Sequence, residues 1–166
     1  MYLKTNPLQT LHGLSFGLSQ GQTNFWIHHL LAIVREALQS LGHTPEREAP
    51  KVKESALVHE GGAALLLDGT ERRRVRPQDR EKQKAHYSGK KKGHTDKNLL
   101  LTNENSGKVA YLSPTVAGKT HDKKMADEAE IAYPVGATLA KDTGFQGYEP
   151  QGVFTLQPQK RNEDNP

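Results

Sequence analysis

The sequence predicts an α/β fold on a mixed sheet. Three antiparallel strands, a crossover helix and a fourth strand parallel to the first follow a helical N-terminal segment. Three observations carry this. Ala63-Ala64-Leu65-Leu66-Leu67 is a short apolar run that meets Asp68-Gly69, which reads as a strand buried on both faces and surfacing at Asp68. Val135 to Lys141 runs in the same way into Asp142-Thr143-Gly144. Between them lie two further short apolar runs and one helical pattern.

The 166 residues suit one domain with a small appendage. A hydrophobic content of 34% is low for a self-sufficient core, so part of the chain is expected to lie open or to need partner segments. The net charge of +4, with Lys and Arg in clusters, points to a polyanionic partner. The absence of cysteine excludes disulfides and thiolate zinc sites and fits a reducing compartment. No apolar run is long enough to span a bilayer, and the N-terminus has no signal-peptide core, so a cytoplasmic chain without membrane contact is expected.

Taken in order, residues 1–43 read as two helices. Leu8, Leu11 and Leu14 share one helical face, and Gly17 breaks it. Ser19 and Gln22 have the spacing of a capping box. A helix from Gln20 to Leu41 follows, with Ile27, Leu30, Leu31, Val34, Leu38 and Leu41 as its apolar stripe and Gly42 as its stop. A short helix, a tight turn and a long helix outline a helix-turn-helix, and equally an ordinary helical hairpin. Read as the former, Gln20, Gln22, Thr23 and Asn24 are the residues placed for base edges. His28 and His29 are adjacent, so they do not share a helix face as a metal pair would.

Residues 44–62, with Pro45, Pro50, Gly61 and Gly62, read as a linker in which Lys51 to His59 makes a helical turn or two. The α/β segment is expected over 63–156. Its first strand leads into Arg72-Arg73-Arg74, and Pro77 bars a strand beyond it. Lys90-Lys91-Lys92, set between Gly89 and Gly93, form a second basic cluster. Both runs fit a solvated face, and both fit a phosphodiester backbone. Leu99 to Leu101 and Val109 to Ser113 flank the polar turn Asn103 to Gly107 and predict a hairpin. Thr120-His121-Asp122 opens a helix that runs to about Tyr133, with Thr120 or Asp122 as its cap and Pro134 as its stop. Val153 to Leu156 suggests a short edge strand, and 157–166 has the composition of a disordered tail.

Asp-Gly is a common turn dipeptide, so Asp68 alone reads more readily as a turn former than as a ligand. The topology changes this. A crossover helix places the fourth strand parallel to the first. If the two are neighbours, Asp68 and Asp142 emerge at one edge of the sheet, where two carboxylates can share a divalent ion.

Several of these motifs stand in one register: Asp68-Gly69-Thr70-Glu71, Arg76-Pro77, Tyr87-Ser88-Gly89-Lys90-Lys91-Lys92, Leu112-Ser113-Pro114, His121-Asp122-Lys123 and Asp142-Thr143-Gly144-Phe145-Gln146-Gly147-Tyr148. Together they resemble the DDE-type transposases of bacterial insertion sequences, most closely a Harbinger-related branch. The resemblance covers about nine-tenths of the chain, including the helical segment before the catalytic domain.

It implies a ribonuclease H-like fold, transposon-end DNA as partner, Mg²⁺ or Mn²⁺ as cofactor, and Asp68 and Asp142 as catalytic metal ligands. It leaves His121 and Asp122 as supporting groups near the site or as a helix cap, the cap being preferred. The family's third acid sits on a later helix in a Tyr, Arg, Glu, Lys pattern that these residues do not contain. Asp96 and Lys119 stand where apolar and small residues are usual. The expectation is therefore a truncated transposase with impaired metal-dependent strand cleavage and joining. A DNA-binding remnant without chemistry is the alternative, and a homo-oligomer is a possible state for either.

Overall fold

The computed structural model describes residues 2–5 and 7–158. It falls into two compact units, Met1–Thr44 and Pro45–Pro166.

The first unit holds helices α1 (Tyr2–Thr5), α2 (Gln9–Leu14) and α3 (Gln20–Ser40). The expected capping box forms: Ser19 Oγ accepts from the Gln22 N–H at 3.3 Å, and Gln22 Oε1 accepts from the Ser19 N–H at 3.0 Å. At the other end Gly42 takes φ +68°, the Gly42 N–H donates to Gln39 O, and the His43 N–H donates to Leu38 O. That is a Schellman close, and it needs glycine at the left-handed position. Gly13 is where α2 meets α3, since a Cβ there would lie 2.3 Å from Thr23 Oγ1. The expected apolar faces are only partly used. Leu8, Leu11 and Leu14 are exposed, and of the α3 stripe only Ile27 is buried. With just six residues, α2 covers no more than the first turns of a 21-residue helix.

The second unit is α/β, with a mixed sheet compatible with a ribonuclease H-like fold. Its strands are β1 (Ala64–Arg73), β2 (Tyr87–Ser88), β3 (Gly93–Asn103), β4 (Val109–Leu112), β5 (Val116–Ala117), β6 (Thr138–Lys141) and β7 (Phe154–Leu156). The order is β2-β3-β1-β6-β7, with β4 and β5 also paired to β3. As expected, β3 pairs antiparallel with β1 and β4, and β6 lies parallel beside β1. The edge strand β7 extends the parallel part.

Four expectations change. The first strand does not end at Asp68, because the antiparallel ladder to β3 carries it on to Arg73, paired with Thr95. The parallel ladder to β6 does stop there, at Leu67 with Lys141. Asp68 is therefore the point where β1 loses one neighbour. Nor is this strand buried on both faces: Leu65 and Leu67 are covered, and Leu66 is 38% exposed. Residues 44–62 are folded instead of linking. A 3-10 turn (Ala49–Glu54) and α4 (Ala56–His59) bury Val52, Leu57 and Val58 in the core, and Glu46 bridges Tyr111. Finally, α6 (Asp122–Ala129) is shorter than expected; Glu130 ends it in the left-handed conformation, φ +48°, before Pro134 is reached. Helix α5 (Arg80–His86) and β2 had no apolar period to announce them. Of the expected tail, residues 159–166 lie outside the described ones.

The core stacks Leu65, Leu67, Leu99, Leu101 and Leu139 of the sheet against Val52, Val58, Met125, Ala126 and Phe145. Packing on one sheet face orders β1 and β6 and so fixes where Asp68 and Asp142 emerge.

Candidate active site

Leu67 and Lys141 form the last parallel pair, so Asp68 and Asp142 come next on neighbouring strands. Both aspartates are exposed. Asp68 Oδ1 accepts its neighbour's N–H, from Gly69, at 2.8 Å. Asp142 caps a 3-10 turn (Thr143–Phe145), its Oδ1 accepting from the Gly144 N–H at 2.8 Å. Strand alternation puts Leu66, Asp68, Thr70 and Arg72 on the less covered face, opposite Leu65, Leu67, Gly69 and Glu71.

The preferred role of Asp122 changes. The N-cap of α6 is His121, and its side chain makes no capping bond. Asp122 is the first helical residue, and its carboxylate is spent elsewhere. Asp122 Oδ1 lies 3.0 Å from Lys97 Nζ, which also donates to Thr120 O at 3.0 Å. The same oxygen is 2.6 Å from where a Cβ on Gly69 would sit. Around Gly144, a Cβ would meet Asp142 Oδ1 at 2.9 Å and Asp122 Oδ2 at 3.0 Å. The two carboxylates thus both close on one glycine. No spacing in the sequence shows this, because the approach depends on α6 packing against β3 and the 3-10 turn that Asp142 caps. The glycines that follow the aspartates, Gly69 directly after Asp68 and Gly144 two residues after Asp142, were the available hint.

Beneath the site, Lys141 is fully buried. Its ammonium donates to Glu149 Oε1 at 2.7 Å and to the Tyr148 carbonyl. The hydrogen bond from Lys141, then that from Thr155, holds the Glu149 carboxyl below its ordinary value. Glu149 is thereby committed to a structural pair. Burial, reinforced by the neighbouring Tyr148, pushes the Tyr133 hydroxyl far above its ordinary range. It accepts a hydrogen bond from Tyr148 at 3.2 Å.

The basic residues divide. Arg72 donates to Asn98 Oδ1 at 2.8 Å, and Arg74 pairs with Asp96 at 2.9 Å. Asp96 also holds His86 at 3.0 Å, which gives this unexpected acid a task. Arg73 is exposed, as are Lys90, Lys91 and Lys92 at the turn of the β2–β3 hairpin, where Lys92 takes φ +48°. In the first unit, Thr23 is only 2% exposed and donates to Ser19 O, Gln22 is engaged in the capping box, and Asn24 donates to Gln9 Oε1. Gln20 is exposed.

Among the described residues no three His, Cys, Asp or Glu side chains stand together ready to hold a metal ion. Asp68 and Asp142 are exposed oxygen donors of the type a hard divalent ion takes, each following the last parallel pair of β1 and β6, and Gly144 leaves free the space that a Cβ would fill against Asp142. Among the described residues no helix is long and apolar enough to cross a membrane. Neither the curated proteins nor the solved structures yield a match. The model of a family described as DDE superfamily endonuclease matches residues 67–165, a stretch that starts one residue before Asp68 and takes in Asp122 and Asp142. On that match over more than half its length, the chain belongs to the DDE superfamily endonucleases.

Proposed function

We propose that this chain is a transposase of the insertion-sequence type, from a Harbinger-related branch, with Asp68 and Asp142 as its metal-binding catalytic pair. The observation that supports the reading is the parallel register of β1 and β6, whose last pair, Leu67 and Lys141, is followed on each chain segment by one of the two aspartates, within the stretch matched to the family. When bound, Mg²⁺ or Mn²⁺ supplies Lewis acidity at a phosphoryl oxygen and acidifies a coordinated water. Asp68 and Asp142 hold the ion. Arg73, Lys90, Lys91 and Lys92 position the DNA backbone. Arg72 lies on the same sheet face as Asp68 and is held there by Asn98. In the first unit, α2 and α3 act as a helix-turn-helix, with Gln20, exposed and outside the side-chain bonds that engage Gln22 and Asn24, as its leading candidate.

Chemistry by this pair alone is slow. No third carboxylate joins it among the described residues, and losing one ligand of such a site costs several kcal/mol, about a thousandfold in rate. A second copy of the chain is one source of the missing ligand. That same observation supports a second reading, DNA binding without chemistry.

The test is Mn²⁺ titration by calorimetry, paired with plasmid nicking in Mg²⁺. Mn²⁺ binding is expected to be lost in Asp68→Asn and Asp142→Asn, with no measurable nicking by the isolated chain. Binding unchanged in both variants would sink the metal site. Nicking that vanishes in Asp68→Ala would overturn the impairment and show that another acid completes the site.

A further inference from the structure

Asp122 is placed with unusual constraint for a residue at the start of a surface helix. It reaches the sheet over Gly69, the residue after Asp68, and it reaches the turn of Asp142 over Gly144. Both approaches require glycine. At 2.6 Å and 3.0 Å, the distances from the Asp122 oxygens to the two absent Cβ positions are shorter than ordinary van der Waals contact. One oxygen of Asp122 and one of Asp142 each lie within 3.0 Å of the same Gly144 point, so these two negative charges are no more than about 6 Å apart. At that range like charges repel appreciably. Lys97, itself mostly buried on β3, offsets part of the charge from the far side at 3.0 Å.

Asp122 lies over Gly69, which faces away from Asp68 on β1, and among the described residues no three acids stand together, so Asp122 is not placed as a third ligand bridging that pair. Its position suits a different task. It wedges β1 and the Asp142 turn at a set separation, and it adds negative charge just behind them. Outer groups of this kind orient metal ligands and tune their affinity.

We propose that Asp122 is a positioning residue for the cation pair, fixing the Asp142 turn against β1 through Gly69 and Gly144 and strengthening cation binding with a charge that Lys97 moderates. This rests on the reading of Asp68 and Asp142 as cation ligands.

The experiment is Mn²⁺ titration of the full chain by calorimetry, with folding followed by circular dichroism, for Asp122→Asn, Asp122→Ala, Lys97→Met and Asp142→Asn. Asp122→Asn keeps the wedge and removes the charge; its dissociation constant is expected to rise about tenfold or more. Asp122→Ala also empties the wedge, and a further rise is expected. Lys97→Met removes the moderating cation, and its dissociation constant is expected to fall at least about threefold. A purely structural Asp122 would leave the affinity unmoved in Asp122→Asn and in Lys97→Met. Mn²⁺ binding lost in Asp142→Asn but unchanged in both of those variants overturns this proposal alone. Binding unchanged in Asp142→Asn overturns the cation-pair reading, and this proposal with it. If Asp122→Asn proves unfolded, Lys97→Met decides: a rise or no change in its dissociation constant overturns the proposal.

Discussion

At the scale of single residues, the two glycines beside the aspartates carry most of the geometric information. Alanine at Gly69 would set its Cβ 2.6 Å from Asp122 Oδ1. The carboxylate is the free end of a side chain, so it would be displaced from Lys97 instead of the strand moving. Gly69→Ala is expected to cost about 1–3 kcal/mol. Combined with Asp122→Ala it should cost less than the sum of the single changes, with a coupling of at least about 0.5 kcal/mol. Additive losses in urea denaturation would show that the two positions do not meet. The buried Lys141 makes a second case. Its hydrogen bond lowers the Glu149 carboxyl below its unfolded value. The stabilisation is then present above the ordinary carboxylate range and lost as pH falls through the lowered value. Glu149→Gln should therefore lower the urea midpoint at neutral pH, and the gap to the parent should narrow as the pH falls below the ordinary carboxylate range. A gap that stays constant with pH would refute the linkage.

At the scale of elements, periodicity announced what packs regularly and missed what is held by polar bonds. The capping box at Ser19 and the close at Gly42 were readable because both are local. So were the hairpin around Asn103–Gly107 and the parallel placement of β6. The packing of 45–62 was not readable, since prolines and mixed charges conceal it. Its attachment depends on Asn103, a residue that reads as a simple turn former. Asn103 is buried; its Nδ2 donates to Val58 O at 2.9 Å and to Gly62 O at 3.0 Å, and its Oδ1 accepts from the Asn105 and Ser106 N–H groups. Four backbone groups lose their partner together in Asn103→Ala. A loss of about 2–4 kcal/mol is expected, and hydrogen exchange should quicken first across 56–62. An exchange increase confined to 104–107 would place the bond elsewhere. Asp68 was singled out for the wrong local reason, because β1 continues past it. What ends there is only its parallel partner, and a ladder's length is set by two strands at once.

At the scale of the whole molecule, the net charge of +4 is a small excess over many paired charges, so binding to DNA turns on which cations remain outside the pairs. Arg74 is held by Asp96, Arg72 by Asn98, and Lys97 by Asp122. Arg73, Lys90, Lys91 and Lys92 are exposed on one strand end and one hairpin turn. Each phosphate neutralised releases condensed counterions, so the logarithm of the affinity falls linearly with the logarithm of salt, by about 0.9 for every phosphate bound on duplex DNA. Four such contacts give a slope of about −3.6. Replacing Lys90, Lys91 and Lys92 together by Gln should flatten it by about 2.7, with little change in stability, because solvated side chains at a turn contribute little to folding. Asp68→Asn should leave the slope nearly unchanged, since it alters the cation pair and none of these cations. Binding is best followed by fluorescence anisotropy on a random-sequence duplex in a chelating buffer, where divalent ions neither bridge nor compete. A slope that stays near −3.6 in the triple variant would assign the contacts to other cations. A flat slope in the parent would remove the phosphate-binding face altogether and leave the acidic pair without a means of holding its substrate.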